Sequence, residues 1–301
     1  MVGRTPVAEV ELDEELVRAL LADQHPDLAE LPLRAVASGW DNALFRLGDD
    51  LVVRLPRRAL AAPAVAHELR WLPELAAGLP LPVPAPVRAG APGRGYPWAW
   101  TVVPWFPGRA ALEEPPADLA AAATVLGSFV AALHRPAPAD APANPWRGVP
   151  LEARRASVQR DAELAAPLLD VPPVLERWED LAATPPWTGP PIWLHGDLHP
   201  RNLLVHRGAL SAVLDFGDLT AGDPATDLGV AWMLLPPEHR PAFRAACGGG
   251  PLGPVDDATW RRGRGWALTI GLALVASSAD DPAFARLGRA TVAAALADDD
   301  A

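Results

Sequence analysis

The order of strand-like and helical segments most limits the folds open to this chain. Near the amino terminus, three short apolar runs are separated by turns that contain glycine, a pattern that predicts an antiparallel meander. These runs cover residues 33–37, 43–47 and 51–55. Later, only residues 203–205 and 212–214 are strand-like, and apolar residues otherwise recur at helical spacing. Helices are predicted over residues 11–22, 59–77, 119–133 and 151–169. A small β-rich lobe followed by a larger helical lobe, an α+β fold, is expected.

Prolines mark the predicted boundary between the two lobes. The proline-rich residues 79–86 exclude a helix interior or a central strand, because proline fixes the backbone and lacks an N–H donor. A strand predicted at residues 99–103 then ends at Pro104-Trp105-Phe106-Pro107-Gly108. We predict an N-terminal lobe over 1–103, a hinge at 104–108 and a C-terminal lobe over 109–301.

The composition argues against several classes of protein. The 301 residues carry a formal net charge of −11, whereas sequence-independent nucleic-acid binding needs a cationic surface. No apolar run reaches the roughly 20 residues that span a bilayer, and the amino-terminal residues lack the apolar core of a secretory signal. The single cysteine, Cys247, suits a reducing compartment. We expect a cytoplasmic protein that binds neither nucleic acid nor membrane, while its oligomeric state stays open.

One segment has the residues of a phosphoryl-transfer site. His195-Gly196-Asp197-Leu198-His199-Pro200-Arg201-Asn202 is followed, after the two strand-like runs, by Asp215-Phe216-Gly217. Phosphoryl transfer needs one carboxylate to orient the attacking hydroxyl. Separately, hard oxygen ligands such as an Asp carboxylate and an Asn carbonyl must hold Mg²⁺ against the phosphates. A hairpin formed by the two runs would bring Asn202 and Asp215 side by side.

This segment resembles the aminoglycoside phosphotransferase and choline kinase superfamily, in which His-Gly-Asp replaces the His-Arg-Asp of protein kinases. The resemblance extends roughly from residue 36 to residue 232 and implies a bilobal, protein-kinase-like fold. It implies that the lobe over 1–103 binds the nucleotide and that the lobe over 109–301 is the catalytic and acceptor-binding lobe. It implies that Asp197 is the catalytic base and that Asn202 and Asp215 bind magnesium. It also implies that Asp227 ties backbone groups of the catalytic loop. His195 is expected to brace that loop rather than take part in the chemistry.

On the nucleotide side, the chain contains no lysine, since all 26 basic residues are arginine. The resemblance implies that Arg54 takes the place of the kinase lysine at the α- and β-phosphates and pairs with Glu68 in the following helix. The alternative is an arginine on an exposed strand face. The turn Ser38-Gly39-Trp40-Asp41-Asn42 matches the phosphate-covering loop with only one glycine, and Ser38 is expected to reach a phosphate.

The hinge is expected to bind adenine through one backbone carbonyl and one backbone N–H two residues apart. By resemblance these are the carbonyl of Pro104 and the N–H of Phe106. The missing N–H of Pro104 is then harmless, and Val103 lines the back of the adenine pocket. The implied cofactors are ATP, with GTP as the alternative, and Mg²⁺.

The sequence leaves the small-molecule acceptor open. An aminoglycoside-type antibiotic, and with it a role in antibiotic resistance, is the first hypothesis. A macrolide or another metabolite is the alternative, as is a nucleotide-binding pseudokinase without turnover. A protein kinase ranks last, because the segment between Asp215 and Asp223 is too short for a phosphorylated activation loop.

Two sets of residues bear on the acceptor hypotheses. A set of acidic residues would attract a polyamine unless they are merely solvated helix faces. These are Asp161, Glu163, Glu176, Glu179, Asp180, Asp256 and Asp257. A set of tryptophans would line a macrolide pocket unless they belong to the core. These are Trp178, Trp187, Trp260 and Trp266.

Overall fold

The computed structural model describes residues 6–298, apart from the side chains of residues 37 and 38. Its N-terminal lobe contains a five-stranded antiparallel sheet in the order β1-β2-β3-β5-β4. The strands are β1 (Leu33–Ser38), β2 (Asn42–Leu47), β3 (Leu51–Pro56), β4 (Arg88–Gly90) and β5 (Trp100–Pro104). In β2, half-buried and buried residues alternate, as expected of a strand with one face on a core. The predicted meander is confirmed.

Two helices accompany this sheet in the N-terminal lobe. The helix α1 (Glu14–Gln24) begins three residues later than predicted, because the Asp13 side chain accepts a hydrogen bond from the Leu16 N–H and caps it there. The helix α2 (Ala62–Ala76) has a proline in its first turn, where the missing N–H does no harm. Val17 and Leu20 of α1 share a core with Phe45, Val53 and Trp100 of the sheet.

The C-terminal lobe is mainly helical and has its own core. Its helices are α3 (Leu119–Leu133), α4 (Arg155–Ala165), α5 (Val171–Ala182), α6 (Ala225–Leu228), α7 (Val230–Leu234), α8 (Arg240–Cys247), α9 (Asp257–Ser277) and α10 (Pro282–Ala297). The long helix α9 packs against α4, α5, α6 and α10, and Trp266 on it is fully buried. The helix predicted over 151–169 is a 3-10 turn at Leu151–Arg154 followed by α4. Among the described helices, none is both long and apolar enough to cross a membrane.

This lobe contains more strands than the sequence indicates. The predicted hairpin is confirmed as β8 (Leu203–His206) and β9 (Ala209–Val213). Three short strands were not predicted: β6 (Arg109–Ala110), β7 (Ile192–Leu194) and β10 (Thr220–Gly222). Elements of two or three residues are too short to show an alternating pattern, so long-range pairing alone defines them.

The chain passes between the lobes just after β5. The last paired residue of β5 is Pro104, opposite Leu51 in the N-terminal sheet. By Arg109 the chain pairs with Val205 in the C-terminal lobe. This path is compatible with the hinge at 104–108 and the lobe boundaries at 103 and 109, which stay predictions.

Candidate active site

Asp227 fixes the shape of the loop that follows β7. Its carboxylate is 1% exposed and accepts hydrogen bonds from the backbone N–H groups of His195 and Gly196, each at 2.9 Å. Nε2 of His134 lies 3.0 Å from the same carboxylate. Gly196 has φ 85°, and a Cβ there would clash with the carbonyl oxygen of Asp218, so glycine is required. The expectation that Asp227 ties backbone groups of this loop is confirmed.

His195 joins this loop to the end of the hairpin. Its Nδ1 accepts from the Asp197 N–H at 3.2 Å, so the ring proton lies on Nε2, which donates to the Leu214 carbonyl at 2.9 Å. The ring also packs on Phe216, with 4.6 Å between centroids. Both nitrogens are thereby used within the protein, as expected of a bracing residue.

Asp197 follows this braced turn and faces the cleft between the lobes. Its Oδ1 accepts from Nη2 of Arg147 at 3.1 Å, and its Oδ2 lies 3.2 Å from Nε2 of His199. Burial alone would raise the pKa of Asp197, but His199 and Arg147 outweigh burial and hold that pKa well below its usual range. The carboxylate is therefore ionised and can accept a hydrogen bond from a hydroxyl.

The hairpin brings Asn202 and Asp215 to the same cleft. Nδ2 of Asn202 donates to the Asp197 carbonyl at 2.9 Å, and the Leu214 N–H donates to the Asn202 carbonyl at 2.7 Å. Asp215 comes next and has φ 60°, which is uncommon outside glycine. This turn directs the half-exposed carboxylate of Asp215 toward Arg54, with 3.5 Å between Oδ1 and Nη2.

The side-chain oxygens of Asn202 and Asp215 suit Mg²⁺ as ligands. The Asn202 amide uses its nitrogen within the loop, and no described residue donates to its Oδ1. The contacts of Asp215 are long, at 3.4 Å from the Gly217 N–H and 3.5 Å from Arg54. One carboxylate and one amide carbonyl are the hard oxygen ligands that Mg²⁺ takes beside substrate phosphates. Within residues 6–298, no three His, Cys, Asp or Glu side chains cluster as metal ligands.

Arg54 is buried, so the alternative of an exposed, loosely paired arginine is wrong. It is 9% exposed, and its Nη1 donates to Oε2 of Glu68 at 2.7 Å. Glu68 is 1% exposed on α2. This buried pair holds the guanidinium at the entrance to the Asp215 side of the cleft.

The turn between β1 and β2 lines the cleft on the side of the N-terminal lobe. The N–H of Gly39 donates to the Asn42 carbonyl at 2.9 Å, and Trp40 and Asp41 line the cleft. Asp41 forms an ion pair with Arg58. The side chain of Ser38 lies outside the described part of the chain, so its predicted role at a phosphate stays a prediction.

At the predicted hinge, one backbone hydrogen bond orients the chain as it leaves the sheet. The Trp105 N–H donates to the Asp50 carbonyl at 2.7 Å, which continues the pairing of β5 with β3. Because the C=O and N–H of one trans peptide group point to opposite sides, the Pro104 carbonyl points away from β3. Val103 is buried beside it. The adenine contacts of Pro104, Phe106 and Val103 stay predictions.

Arg147 belongs to the site, although no sequence motif marks it. Besides Asp197 it pairs with Asp218, with 3.5 Å between Nε and Oδ2. Asp218 is also held by Nδ2 of Asn144 at 2.8 Å. Arg147 lies in a proline-rich segment without regular structure, 50 residues before Asp197. Only the tertiary fold brings it to the loop, so sequence spacing contains no signal for it.

A cavity of about 480 Å³ extends from this site along α9. Besides the residues above, it is lined by Arg154, Arg201, Asp281, Phe284 and apolar residues of α9 such as Ile270 and Leu274. None of the seven acidic residues proposed to attract a polyamine lines it. For example, Asp180 pairs with Arg261 at 2.9 Å, and Asp256 caps α9.

The four tryptophans proposed for a macrolide pocket do not line this cavity either. Trp178 and Trp266 are fully buried in the core, and Nε1 of Trp178 donates to Thr269 at 2.8 Å. Trp260 packs on Trp232, and Trp187 bonds to the Pro190 carbonyl at 2.9 Å. The core alternative therefore describes the first two, and the others lie away from the cleft.

Comparison with known proteins identifies the family. A model of the APH phosphotransferase enzyme family matches residues 32–266. A search of curated proteins found no significant match. Among solved structures, the GDP and kanamycin complex of APH(2″)-IIia is similar, with a TM-score of 0.69 and 20% identity over 92% of this chain and 97% of that chain. The macrolide 2′-phosphotransferase MphH from Brachybacterium faecium has a TM-score of 0.60 and 25% identity over 93% and 98%.

A third similar structure is the streptomycin–ATP–APH(2″)-IIa ternary complex, with a TM-score of 0.58 and 17% identity over 90% and 93% of the two chains. These likenesses confirm the bilobal α+β fold. The family match begins just before β1 and ends within α9, so it covers a large part of each lobe and every residue of the loop and hairpin. This chain therefore belongs to the APH phosphotransferase enzyme family, a family of small-molecule kinases.

Proposed function

We propose that this protein transfers the γ-phosphoryl group of a nucleoside triphosphate to a hydroxyl of a small molecule bound in the cleft. The observation that carries the proposal is the convergence of Asp197, Asn202, Asp215 and the Arg54–Glu68 pair on one cleft. ATP is the proposed donor, with GTP as the alternative, since the similar structures include complexes with GDP and with ATP.

In this proposal Asp197 orients the acceptor. Its carboxylate accepts a hydrogen bond from the hydroxyl and aims the oxygen at the γ-phosphorus. A carboxylate with a lowered pKa is a weak base, so the proton moves late, as the new O–P bond forms and the bond to the β-phosphate oxygen breaks. The products are the phosphate ester and the nucleoside diphosphate, and the proton passes through Asp197 to solvent.

The remaining residues are proposed to hold the donor. Asn202 Oδ1 and the Asp215 carboxylate would bind Mg²⁺, which neutralises phosphate charge when bound. Arg54 would contact the α- and β-phosphates, with Glu68 keeping its guanidinium in place. The Pro104 carbonyl and Phe106 N–H would bind adenine against Val103, and Ser38 would contact a phosphate from the turn above.

The second candidate is a nucleotide-binding protein without turnover. It is favoured by one observation: both carboxylate oxygens of Asp197 already have a partner, in Arg147 and His199. An aminoglycoside acceptor stays a hypothesis from sequence, as does the associated role in antibiotic resistance.

Two measurements separate these candidates. Calorimetry with Mg²⁺ and a non-hydrolysable ATP analogue reports nucleotide binding, and a coupled assay of ADP release reports turnover with each acceptor class. We expect binding and acceptor-dependent ADP release. Binding without ADP release for any acceptor class would favour the pseudokinase, and absence of binding would refute both candidates.

A further inference from the structure

Arg154 is a buried arginine without an anionic partner. It ends the 3-10 turn Leu151–Arg154, is 7% exposed and lines the cavity that contains Asp197. No described residue accepts a hydrogen bond from its guanidinium, and its Nε is buried and unpartnered. Its nearest planar neighbour is the Trp146 ring, whose centroid lies 5.1 Å from Cζ. A ring face can stack on a guanidinium but cannot satisfy its donors.

The other buried arginines of the described chain have hydrogen-bond acceptors, which sets Arg154 apart. Arg262 donates to Asp223 at 2.8 Å, with both residues about 3% exposed. Arg54 has Glu68 at 2.7 Å. Buried charges in proteins are normally paired in this way, because an unpaired one loses hydration without compensation.

The charge of Arg154 is not satisfied by its surroundings. Burial, and secondly the nearby charge of Arg147, lower the pKa of Arg154 to about 10, so the group is still cationic at pH 7. Asp161, the acidic residue that opposes this effect, is bound by Arg160 at 2.9 Å. Arg147 lines the same cavity, but it is already bound to Asp197 and Asp218.

The acidic residues that line the cavity just before α10, by contrast, have partners. Asp281 pairs with Arg201 at 2.6 Å and accepts from the Phe284 N–H at 3.1 Å, which caps α10. Its neighbour Asp280 is not free either. A cationic acceptor would have to break such pairs, whereas an anionic acceptor would meet a guanidinium that no described residue already occupies.

We propose that the acceptor carries an oxyanion, a carboxylate or a phosphate ester, besides its hydroxyl, and that Arg154 binds this oxyanion. The inference rests on the proposed function of the same cleft. A guanidinium matches either group with two parallel N–H···O bonds. The apolar side chains of Ile270 and Leu274 offer a wall for the carbon skeleton. At about 480 Å³ the cavity suits an acceptor the size of a sugar acid or sugar phosphate.

The first test is binding, measured by thermal unfolding with the nucleotide site filled by Mg²⁺ and a non-hydrolysable ATP analogue. The probes are malonate and inorganic phosphate, which show whether Arg154 binds a carboxylate or a phosphate. The variants are Arg154→Met, Arg154→Lys and, as a control, Arg286→Met at an exposed arginine of α10. We expect at least one probe to raise the Tm of the wild type and of Arg286→Met but not that of Arg154→Met.

Two further outcomes sharpen this test. Without any probe, Arg154→Met should unfold at a higher temperature than the wild type, because it removes an unneutralised buried charge. A lower Tm would assign Arg154 to a structural role and overturn the proposal. Arg154→Lys should retain part of the rise in Tm caused by the probe, since lysine keeps the positive charge but lacks the planar guanidinium with its parallel N–H donors. The proposal would also be overturned if a probe raised the Tm of Arg154→Met as much as that of the wild type, or if neither probe raised the Tm of the wild type.

The second test is turnover with acceptors that share a hydroxylated ring and differ in charge. Glucuronate, glucose 1-phosphate, glucose and kanamycin serve as carboxylate, phosphate, neutral and cationic members. If any is phosphorylated, an oxyanion member should exceed glucose at least tenfold in kcat/KM, and Arg154→Met should remove that preference.

Preference for glucose or kanamycin would refute the proposal. An Arg154→Met effect on the KM for ATP alone would assign the guanidinium to the nucleotide and refute it as well. If the wild type does not bind the Mg²⁺–nucleotide at all, the proposed function itself would be refuted instead.

Discussion

Replacement of Asp227 by asparagine tests how the catalytic loop is held. The carboxylate accepts three hydrogen bonds, from two backbone N–H groups at 2.9 Å and from His134 at 3.0 Å. Asparagine keeps one acceptor oxygen and places an NH₂ group against one of the backbone donors. One buried donor left unpaired costs about 1–3 kcal/mol, and the loss of charge weakens the other bonds by about 1 kcal/mol each. With two other bonds, the expected destabilisation is about 3–5 kcal/mol.

Thermal unfolding followed by circular dichroism at pH 7 measures this effect. At roughly 2 °C per kcal/mol for a chain of this size, Asp227→Asn should lower the Tm by about 6–10 °C. It should also lower kcat, because Asp197 follows the loop that Asp227 holds. The matched control is Asp140→Asn, which breaks an exposed ion pair with Arg70 and should change the Tm by about 1 °C or less. Equal Tm values for wild type and Asp227→Asn would refute this account of the loop.

The difference in stability between the wild type and Asp227→Asn should depend on pH. Burial alone would raise the pKa of Asp227, but the hydrogen bond from His134 and that from the Gly196 N–H outweigh burial and lower this pKa. A lowered native pKa stabilises the fold at pH values above the unfolded pKa of about 4, and the contribution is lost as the pH falls toward the native value. The difference in unfolding free energy between wild type and Asp227→Asn should therefore be constant from pH 7 to about pH 5 and shrink below about pH 4. A difference that does not change down to pH 3 would contradict this.

Three further changes test other parts of the site. Arg54→Ala should weaken binding of the Mg²⁺–ATP analogue at least tenfold by calorimetry, while an unchanged Kd would show that this buried arginine does not contact phosphate. Asp215→Ala should raise the Mg²⁺ concentration needed for half-maximal ADP release at least tenfold, and an unaltered Mg²⁺ dependence would remove Asp215 from the metal site. Gly196→Ala should lower both Tm and kcat, since a Cβ would meet the Asp218 carbonyl at a positive φ; wild-type values for both would show that the loop can relax.

Local sequence spacing predicted the parts of the site that lie close together in the chain. Asn202 and Asp215 are joined by a single hairpin, so their proximity follows from two short strand-like runs. The Arg54–Glu68 pair, 14 residues apart, was predicted by the family resemblance, which relates a strand to the helix that follows it. In these cases the elements themselves bring the side chains together.

Partners that are far apart in the sequence were not predictable in this way. Arg147 reaches Asp197 across 50 residues from an irregular segment, and no spacing rule relates them. The acidic helix faces suggested a polyamine site because the sequence does not show which carboxylates are paired. Asp180, for example, is bound by an arginine 81 residues later. Arg154 could not be distinguished from other arginines, since its lack of a partner is a property of the fold.

The phosphoryl-transfer proposal is tested most directly by Asp197→Asn. This change keeps the shape of the side chain and removes the charge that orients the acceptor hydroxyl. ADP release should be measured with saturating Mg²⁺–ATP and the best acceptor of the panel, beside calorimetry of nucleotide binding. The account predicts nucleotide affinity within about threefold of the wild type and a fall in kcat of about 10²-fold or more. Undiminished kcat in Asp197→Asn would contradict it.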